Sequence, residues 1–313
     1  MYKFCCIIVT YNRKKYLEKE LKSLFDQSYP ISGFIIINND SPDDTFEYLV
    51  EEGYTFRDKK IDQIVYNVKD GKKIYYFQSS KNLGGSGGFK KGFEIAQTLS
   101  DYDYFWVMDD DIKPRSDCLK KLVDKFDSEH GIYVPRRVGE NYNDPIIVNY
   151  RFNNPFVHLL FDRAIYPKKE QERYDVKNIT FEGPLISKTI LQKVGLPNER
   201  YFLQGDDYDY AFRSLKFTKI LYVSNSIIDR QIPFSTTASK PSIRDYYGAR
   251  NTCLLDIRYC KNPIAKFLRP RLYRFRWHMV CIFKHKEKAL WKYVKTGIND
   301  ALKGIDGKKE MEF

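Results

Sequence analysis

Three aspartates, Asp109-Asp110-Asp111, follow directly on the apolar run Tyr104-Phe105-Trp106-Val107-Met108. Side chains alternate along an extended chain, so Asp109 and Asp111 project to one side. Such a pair can hold a divalent cation whose other ligands are phosphate oxygens and water. All-oxygen ligation suits Mn2+ or Mg2+, whereas zinc would call for His or Cys. A second candidate is Asn82-Leu83-Gly84-Gly85-Ser86-Gly87-Gly88-Phe89. Its glycines, Gly84, Gly85 and Gly88 among them, allow close approach of a ligand to backbone N–H groups, and a following helix adds a positive dipole end. No Gly-Lys-Ser/Thr follows, so this is not a Walker loop, and Lys90 stands at the third glycine position of a dinucleotide fingerprint. The third candidate is Gly205-Asp206-Asp207-Tyr208, where aspartates open a helix. Capping explains such residues in part. A carboxylate beside an apolar acceptor pocket can also act as a general base, and either Asp206 or Asp207 could fill that role.

These residues need elements to position them. Phe4–Val9, Phe34–Ile37, Ile74–Phe77 and Tyr104–Met108 are short apolar runs that read as buried strands. Between them Leu17, Leu21, Leu24 and Phe25 recur at helical spacing. Ser41-Pro42 signals a helix start, and a helix carrying Phe89, Phe93 and Ala96 follows the glycines. Ser116 is read as the cap of a helix containing Leu119, Leu122, Val123 and Phe126. This alternation predicts an α/β fold, a Rossmann-like, mostly parallel sheet sandwiched by helices. Ligands on such sheets bind beyond the carboxyl ends of the strands. Thr10-Tyr11-Asn12, Asn38-Asn39-Asp40, Asn82-Leu83-Gly84 and the three aspartates all fall there. Arg136–Gln171 reads as loop-rich, Thr180–Ser187 and Lys219–Ile228 as strands, and the chain from Pro241 as helical. The division expected is a catalytic domain over 1–240 and a basic, aromatic-rich helical region over 241–313.

Charge separates the two. Of the net +12, most lies between Lys261 and Thr296, where 11 Lys/Arg face a single acid, Glu287. Aromatic and basic residues mixed in this way suit the headgroup layer of an anionic leaflet, so 261–296 is expected to attach peripherally to a membrane or to pack on the catalytic domain. Nucleic acid is not expected as a partner, because the strand ends carry acids. The six cysteines form no Cys-x-x-Cys pair, which argues against a disulfide framework or zinc site and for a reducing cytoplasm. No secretory signal and no run of about 18 apolar residues is present, so the expected location is the inner face of the cell membrane.

The motifs in this order, Thr10-Tyr11-Asn12-Arg13, Asn38-Asn39-Asp40-Ser41, Asp109-x-Asp111 and Asp206-Asp207, resemble the family 2 glycosyltransferases of the GT-A fold. Asn82–Phe89 followed by Met108-Asp109-Asp110-Asp111-Ile112 more narrowly resembles the bacterial galactofuranosyltransferases, including the mycobacterial cell-wall polymerase. The resemblance covers about residues 1–255. It implies a nucleotide-sugar donor and places Thr10, Arg13, Asp40 and Asn82 on uridine, with Asp109, Asp110 and Asp111 at the ribose, phosphates and metal. It makes Asp207 the base with Asp206 beside it, and Arg250 of Tyr246-Tyr247-x-x-Arg250-Asn251 a phosphate contact. Those enzymes often carry a metal-ligating His past the base. Ser226–Gln231 has none, and Asp229 is the candidate replacement.

The activity implied is inverting transfer of galactofuranose from its uridine-diphosphate donor to a cell-wall, capsular or other surface polysaccharide, or to a lipid-linked acceptor. The same motifs would accommodate a thymidine-diphosphate rhamnose donor. A non-catalytic nucleotide-sugar-binding or membrane scaffold is the alternative of another class, though a scaffold needs no base. Assembly as a homo-oligomer is left open.

Overall fold

The computed structural model describes residues 2–156, 164–168, 170–234, 240–283 and 288–310. The first half runs β1 (Phe4–Thr10), α1 (Lys14–Phe25), β2 (Gly33–Asn38), α2 (Thr45–Glu51), β3 (Ile64–Lys69), β4 (Lys72–Gln78), α3 (Gly84–Thr98) and β5 (Tyr104–Asp109). The second half adds β6 (Ile112–Pro114), α4 (Cys118–Val123), β7 (His130–Gly139), β8 (Tyr142–Asn143), β9 (Ile146–Ile147), β10 (Ala164–Ile165), β11 (Arg173–Val176) and β12 (Leu185–Ser187). Then come α5 (Lys188–Val194), α6 (Asp206–Ser214) and β13 (Lys219–Arg230), and finally α7 (Ile243–Tyr259), α8 (Pro263–Phe283) and α9 (Lys288–Leu302).

The main sheet has the order β11-β13-β7-β12-β5-β1-β2-β4-β3. Strands β4, β2, β1 and β5 are mutually parallel, and β7 runs parallel to β13. Antiparallel β12 joins the two parallel blocks by pairing with both β5 and β7. Both faces are covered, which is why the central strands are apolar throughout and do not alternate with polar residues. Cys5, Ile7 and Val9 lie in the core beneath α3 with Phe89 and Phe93. Phe4, Cys6 and Ile8 lie in the opposite core with Leu17, Leu21 and Leu24 of α1. All six cysteines are free. Among the described residues no helix is long and apolar enough to cross a membrane.

Several local expectations shift. The glycines are not a loop before a helix: α3 itself begins at Gly84. A Cβ on Gly88 would sit 2.5 Å from Val9 Cγ1, and one on Gly92 would sit 2.4 Å from Ile7 Cγ2. These glycines therefore let α3 press onto β1, and Gly88 serves packing, not the donor contact expected of it. Helix α2 begins at Thr45, with Asp43 accepting the Thr45 backbone N–H and hydroxyl. Ser41 instead accepts the Asn12 N–H, which ties two strand-end loops together. Helix α4 starts at Cys118 and has no side-chain cap, so Ser116 is not its cap.

The three last helices pack on each other and on the preceding part of the chain. Asp256 of α7 and Arg269 of α8 form a buried ion pair at 2.6 Å, and Arg269 Nη1 also donates to the carbonyls of Arg151 and Asn154. Burial holds the Asp256 carboxyl at about 6 against the pull of Arg269. Removing one partner of such a pair costs about 3–5 kcal/mol, because the other is left buried and unpaired. Residues 284–287 of the basic segment lie outside the described residues.

Candidate active site

Parallel register aligns the strand ends. Val9 stands opposite Asp109, Thr10 opposite Asn38, and Asn38 opposite Gln78. Beyond them opens a cleft of about 600 Å³, a volume within the usual range for small-molecule sites. Asp109, Asp110, Asp111, Asp206 and Asp207 all line it, with Asn82, Gly84 and Gly85. Acids nearly a hundred residues apart thus share one space.

Asp110 is the anchor of the first loop. It is buried and accepts the Thr10 hydroxyl at 2.9 Å, the Tyr11 N–H at 3.0 Å and Arg13 Nη1 at 3.0 Å. Burial pushes its carboxyl up to about 6 in spite of these donors. Arg13 Nη1 also donates to Asp111 at 2.9 Å. Thr10 is fully buried, and its hydroxyl is used by Asp110. Arg13 does line the cleft, but as the clamp between two acids.

Asp109, by contrast, accepts no hydrogen bond from the described residues and is half-buried at the cleft. Its carboxyl is held well above the usual carboxylate range, first by burial and then by the charges of Asp111, Asp110 and Glu182. Asp111 is also raised, mainly by burial, with Arg13 opposing. Among the described residues no three His, Cys, Asp or Glu side chains converge as a metal site. Asp109 and Asp111 nonetheless suit a hard cation that takes its remaining ligands from phosphate and water, as Mg2+ and Mn2+ commonly do.

A network built on Asn39 forms the start of α3. Asn39 Nδ2 donates to the Gly84 carbonyl at 3.0 Å, its Oδ1 accepts the Leu83 N–H at 2.9 Å, and Asn82 Oδ1 accepts the Gly84 N–H at 2.7 Å. Gly84 has φ +72°, and a Cβ there would lie 2.3 Å from the Phe202 carbonyl oxygen. Beside Gly85 there is open space. Asp40, the companion of Asn39 in sequence, is exposed and does not line the cleft.

Opposite acids come from α6. Gly205, at φ +90°, turns the chain so that Asp206 and Asp207 open the helix. Asp207 Oδ1 accepts the Tyr208 N–H at 2.8 Å. Both carboxyls are raised by burial. Asp207 is raised further by the charge of Asp206, whereas backbone N–H groups draw Asp206 down.

Two expected contacts are corrected. Asp229 is not at the cleft: its carboxylate takes Arg115 Nε at 3.1 Å and Nη2 at 3.0 Å. Neighbours on a strand face opposite ways, and it is Arg230 that reaches the cleft. Arg250 does not line the cleft either. It is fully buried and donates to the carbonyls of Arg200, Tyr201 and Gly307 and to Asn251 Oδ1.

Asn39 also lines the cleft, as do Glu182, Arg230 and Arg244, three residues that no motif in the sequence marks. Asn39 had a signal, its place at the end of β2. Glu182, Arg230 and Arg244 had none, because segments distant in sequence deliver them.

A helix-covered sheet with an acid-lined cleft at its strand ends is the architecture of GT-A glycosyltransferases. Staphylococcus aureus TarS, solved in complex with UDP-GlcNAc, is similar in fold, with a TM-score of 0.56 over 97% of this chain and 81% of that one, at 13% identity. Residues 5–193 match Glycosyl transferase family 2, and the chain belongs to that family. Among curated relatives, galactofuranosyltransferase GlfT1 of Mycolicibacterium smegmatis is 22% identical over 68% of this chain, and the match spans 65% of that protein, under two thirds of its length. GlfT1 of Mycobacterium tuberculosis is 22% identical over 92% of both chains.

Proposed function

We propose that the chain transfers galactofuranose, with inversion, from UDP-galactofuranose to a hydroxyl of a cell-surface polysaccharide or lipid-linked acceptor. The observation that carries this reading is the meeting of Asp207 with Asp109 and Asp111 in one cleft. The galactofuranosyltransferase relatives support the donor sugar. In this reading Asn82, Gly84 and Gly85 receive the nucleotide beside the start of α3, while the Asp110–Arg13 clamp holds the first loop in shape. Asp109 and Asp111 would hold Mn2+ or Mg2+, which when bound supplies positive charge to the departing diphosphate. Asp207 accepts the proton of the attacking acceptor hydroxyl. The oxygen of that hydroxyl forms the new bond to the anomeric carbon as the bond to the diphosphate breaks on the opposite side. One base and one in-line displacement give inversion. Residues 1–240 carry this chemistry, and 241–313 form the basic helical region.

The test is a donor screen with Mn2+ present. Free UDP is expected from UDP-galactofuranose and no release from thymidine-diphosphate rhamnose. Release from the rhamnose donor alone would overturn the sugar assigned, and release from no nucleotide sugar would overturn the reaction.

The basic region is proposed to seat the enzyme on the inner face of the cell membrane. Ile264, Phe267, Phe275, Ile282 and Phe283 of α8 are exposed along the length of the helix. Lys266, Arg271 and Arg276 are exposed among them. Apolar side chains beside cations suit an anionic headgroup layer. The protein should therefore co-sediment with anionic-lipid vesicles at low salt and be released by high salt. Failure to pellet at low salt removes the proposal.

A further inference from the structure

The cleft is short of positive charge for the molecule it is read to bind. Asp109, Asp110, Asp111, Glu182, Asp206 and Asp207 line it against three arginines, Arg13, Arg230 and Arg244. Two of the three are engaged. Arg13 bridges Asp110 and Asp111, and Arg230 Nε lies 3.4 Å from Glu182 with its guanidinium 4.5 Å from the Tyr142 ring centroid. Arg244 is exposed, and among the described residues nothing hydrogen-bonds or ion-pairs with it. The neighbouring segment outside the described residues, 235–239, has no charged residue in its sequence.

Arg244 is also firmly presented. It sits in the first turn of α7, where the Ser242 N–H donates to Asp245 Oδ2 at 2.8 Å. Further along the helix, Asn251 Nδ2 donates to the carbonyls of Tyr201, Leu203 and Gln204, and Arg250 to those of Arg200 and Tyr201. Tyr246 donates to Asp300 of α9 at 2.8 Å. The loop so gripped supplies Phe202, Leu203 and Gln204 to the cleft and leads into Asp206 and Asp207. One helix thus fixes the wall before the base and carries a free guanidinium to the same space.

We infer that Arg244 binds the diphosphate of the donor and stabilises it as the leaving group. The inference rests on the nucleotide-sugar reading and adds to it a residue from the basic helical region. A diphosphate entering a cleft lined by carboxylates needs opposing charge. A guanidinium offers a planar fork matched to phosphate oxygens. As the bond to the sugar breaks, charge grows on the diphosphate oxygen, so a cation waiting there favours the transition state over the ground state. Arg250, the arginine of this helix that a sequence motif suggests, is the scaffold. Arg244 is the ligand.

The experiment measures UDP and uridine binding by competition, with Mn2+ present, for the wild type, Arg244→Gln and Arg244→Lys. Arg244→Gln should weaken UDP about ten- to a hundredfold and leave uridine unchanged, because only the phosphate contact is lost. Arg244→Lys, which keeps the charge but not the fork, should fall between. Arg244 is exposed, so melting temperatures should match the wild type, and a matched melt separates lost contact from lost fold. Equal UDP affinity in Arg244→Gln, or equal loss of UDP and uridine, overturns the assignment. If the wild type binds neither, the donor reading fails and takes this inference with it.

Discussion

Asp207→Asn is expected to lower kcat by about a hundred- to ten-thousandfold while UDP still binds, because the change removes the proton acceptor and little else. The amide is nearly isosteric and can still accept the Tyr208 N–H that Asp207 accepts at 2.8 Å. Asp206→Asn provides the comparison, since Asp206 lines the same cleft and is the more buried of the two at the helix start. The pH profile gives a second readout. Burial and the charge of Asp206 raise the Asp207 carboxyl above its ordinary value. A base works only when deprotonated, so turnover should rise with pH through that raised value. Its acid limb should lie well above the ordinary aspartate value of about 3.9. An acid limb near the ordinary value, or wild-type turnover in Asp207→Asn, removes Asp207 as the base.

The second large effect concerns Asp109 and Asp111. Either residue changed to Asn should cost about a hundred- to a thousandfold in metal-supported turnover, the equivalent of several kcal/mol of charge stabilisation. Mn2+ binding followed by electron paramagnetic resonance should weaken in parallel. Asp111→Asn keeps an oxygen for Arg13, so the first loop should stay in place. Asp109→Asn should in addition raise the melting temperature at neutral pH. The sign follows from linkage. The folded protein holds the Asp109 proton to higher pH than the unfolded chain does, so stability falls as pH rises through that window. Asn carries no such penalty. A gain in stability alongside a loss of turnover identifies a site whose like charges are kept for function. Unchanged turnover in both variants, with Mn2+ still bound, would strip these aspartates of the metal role.

Much of the scaffold was legible because it is written locally. Phe4–Val9, Phe34–Ile37, Ile74–Phe77 and Tyr104–Met108 stand as apolar runs of strand length, and the structure places β1, β2, β4 and β5 there. The polar residues that end those runs had to emerge on one edge once the strands ran parallel. Helix starts were less legible. Ser41 and Ser116 look like caps in sequence, yet α2 and α4 begin later, and the Ser41 hydroxyl is claimed by a loop from another strand. The glycines at 84–88 read as a loop or ligand contact before a helix, whereas the helix itself begins at Gly84 and Gly88 meets Val9 of a distant strand.

What the sequence determined by itself is the set of acids and the fold that carries them, since strand length, alternation and spacing are short-range properties of the chain. What only the tertiary structure decided is which side chains remain free to act. Asp229 has the right chemistry for a metal and is spent on Arg115. Arg250 has the right chemistry for a phosphate and is spent on backbone carbonyls, while Arg244, six residues before it, meets no such partner among the described residues. A charged group takes the nearest partner that replaces its lost water. That partner here comes from segments far away in the chain, so no local pattern records the outcome.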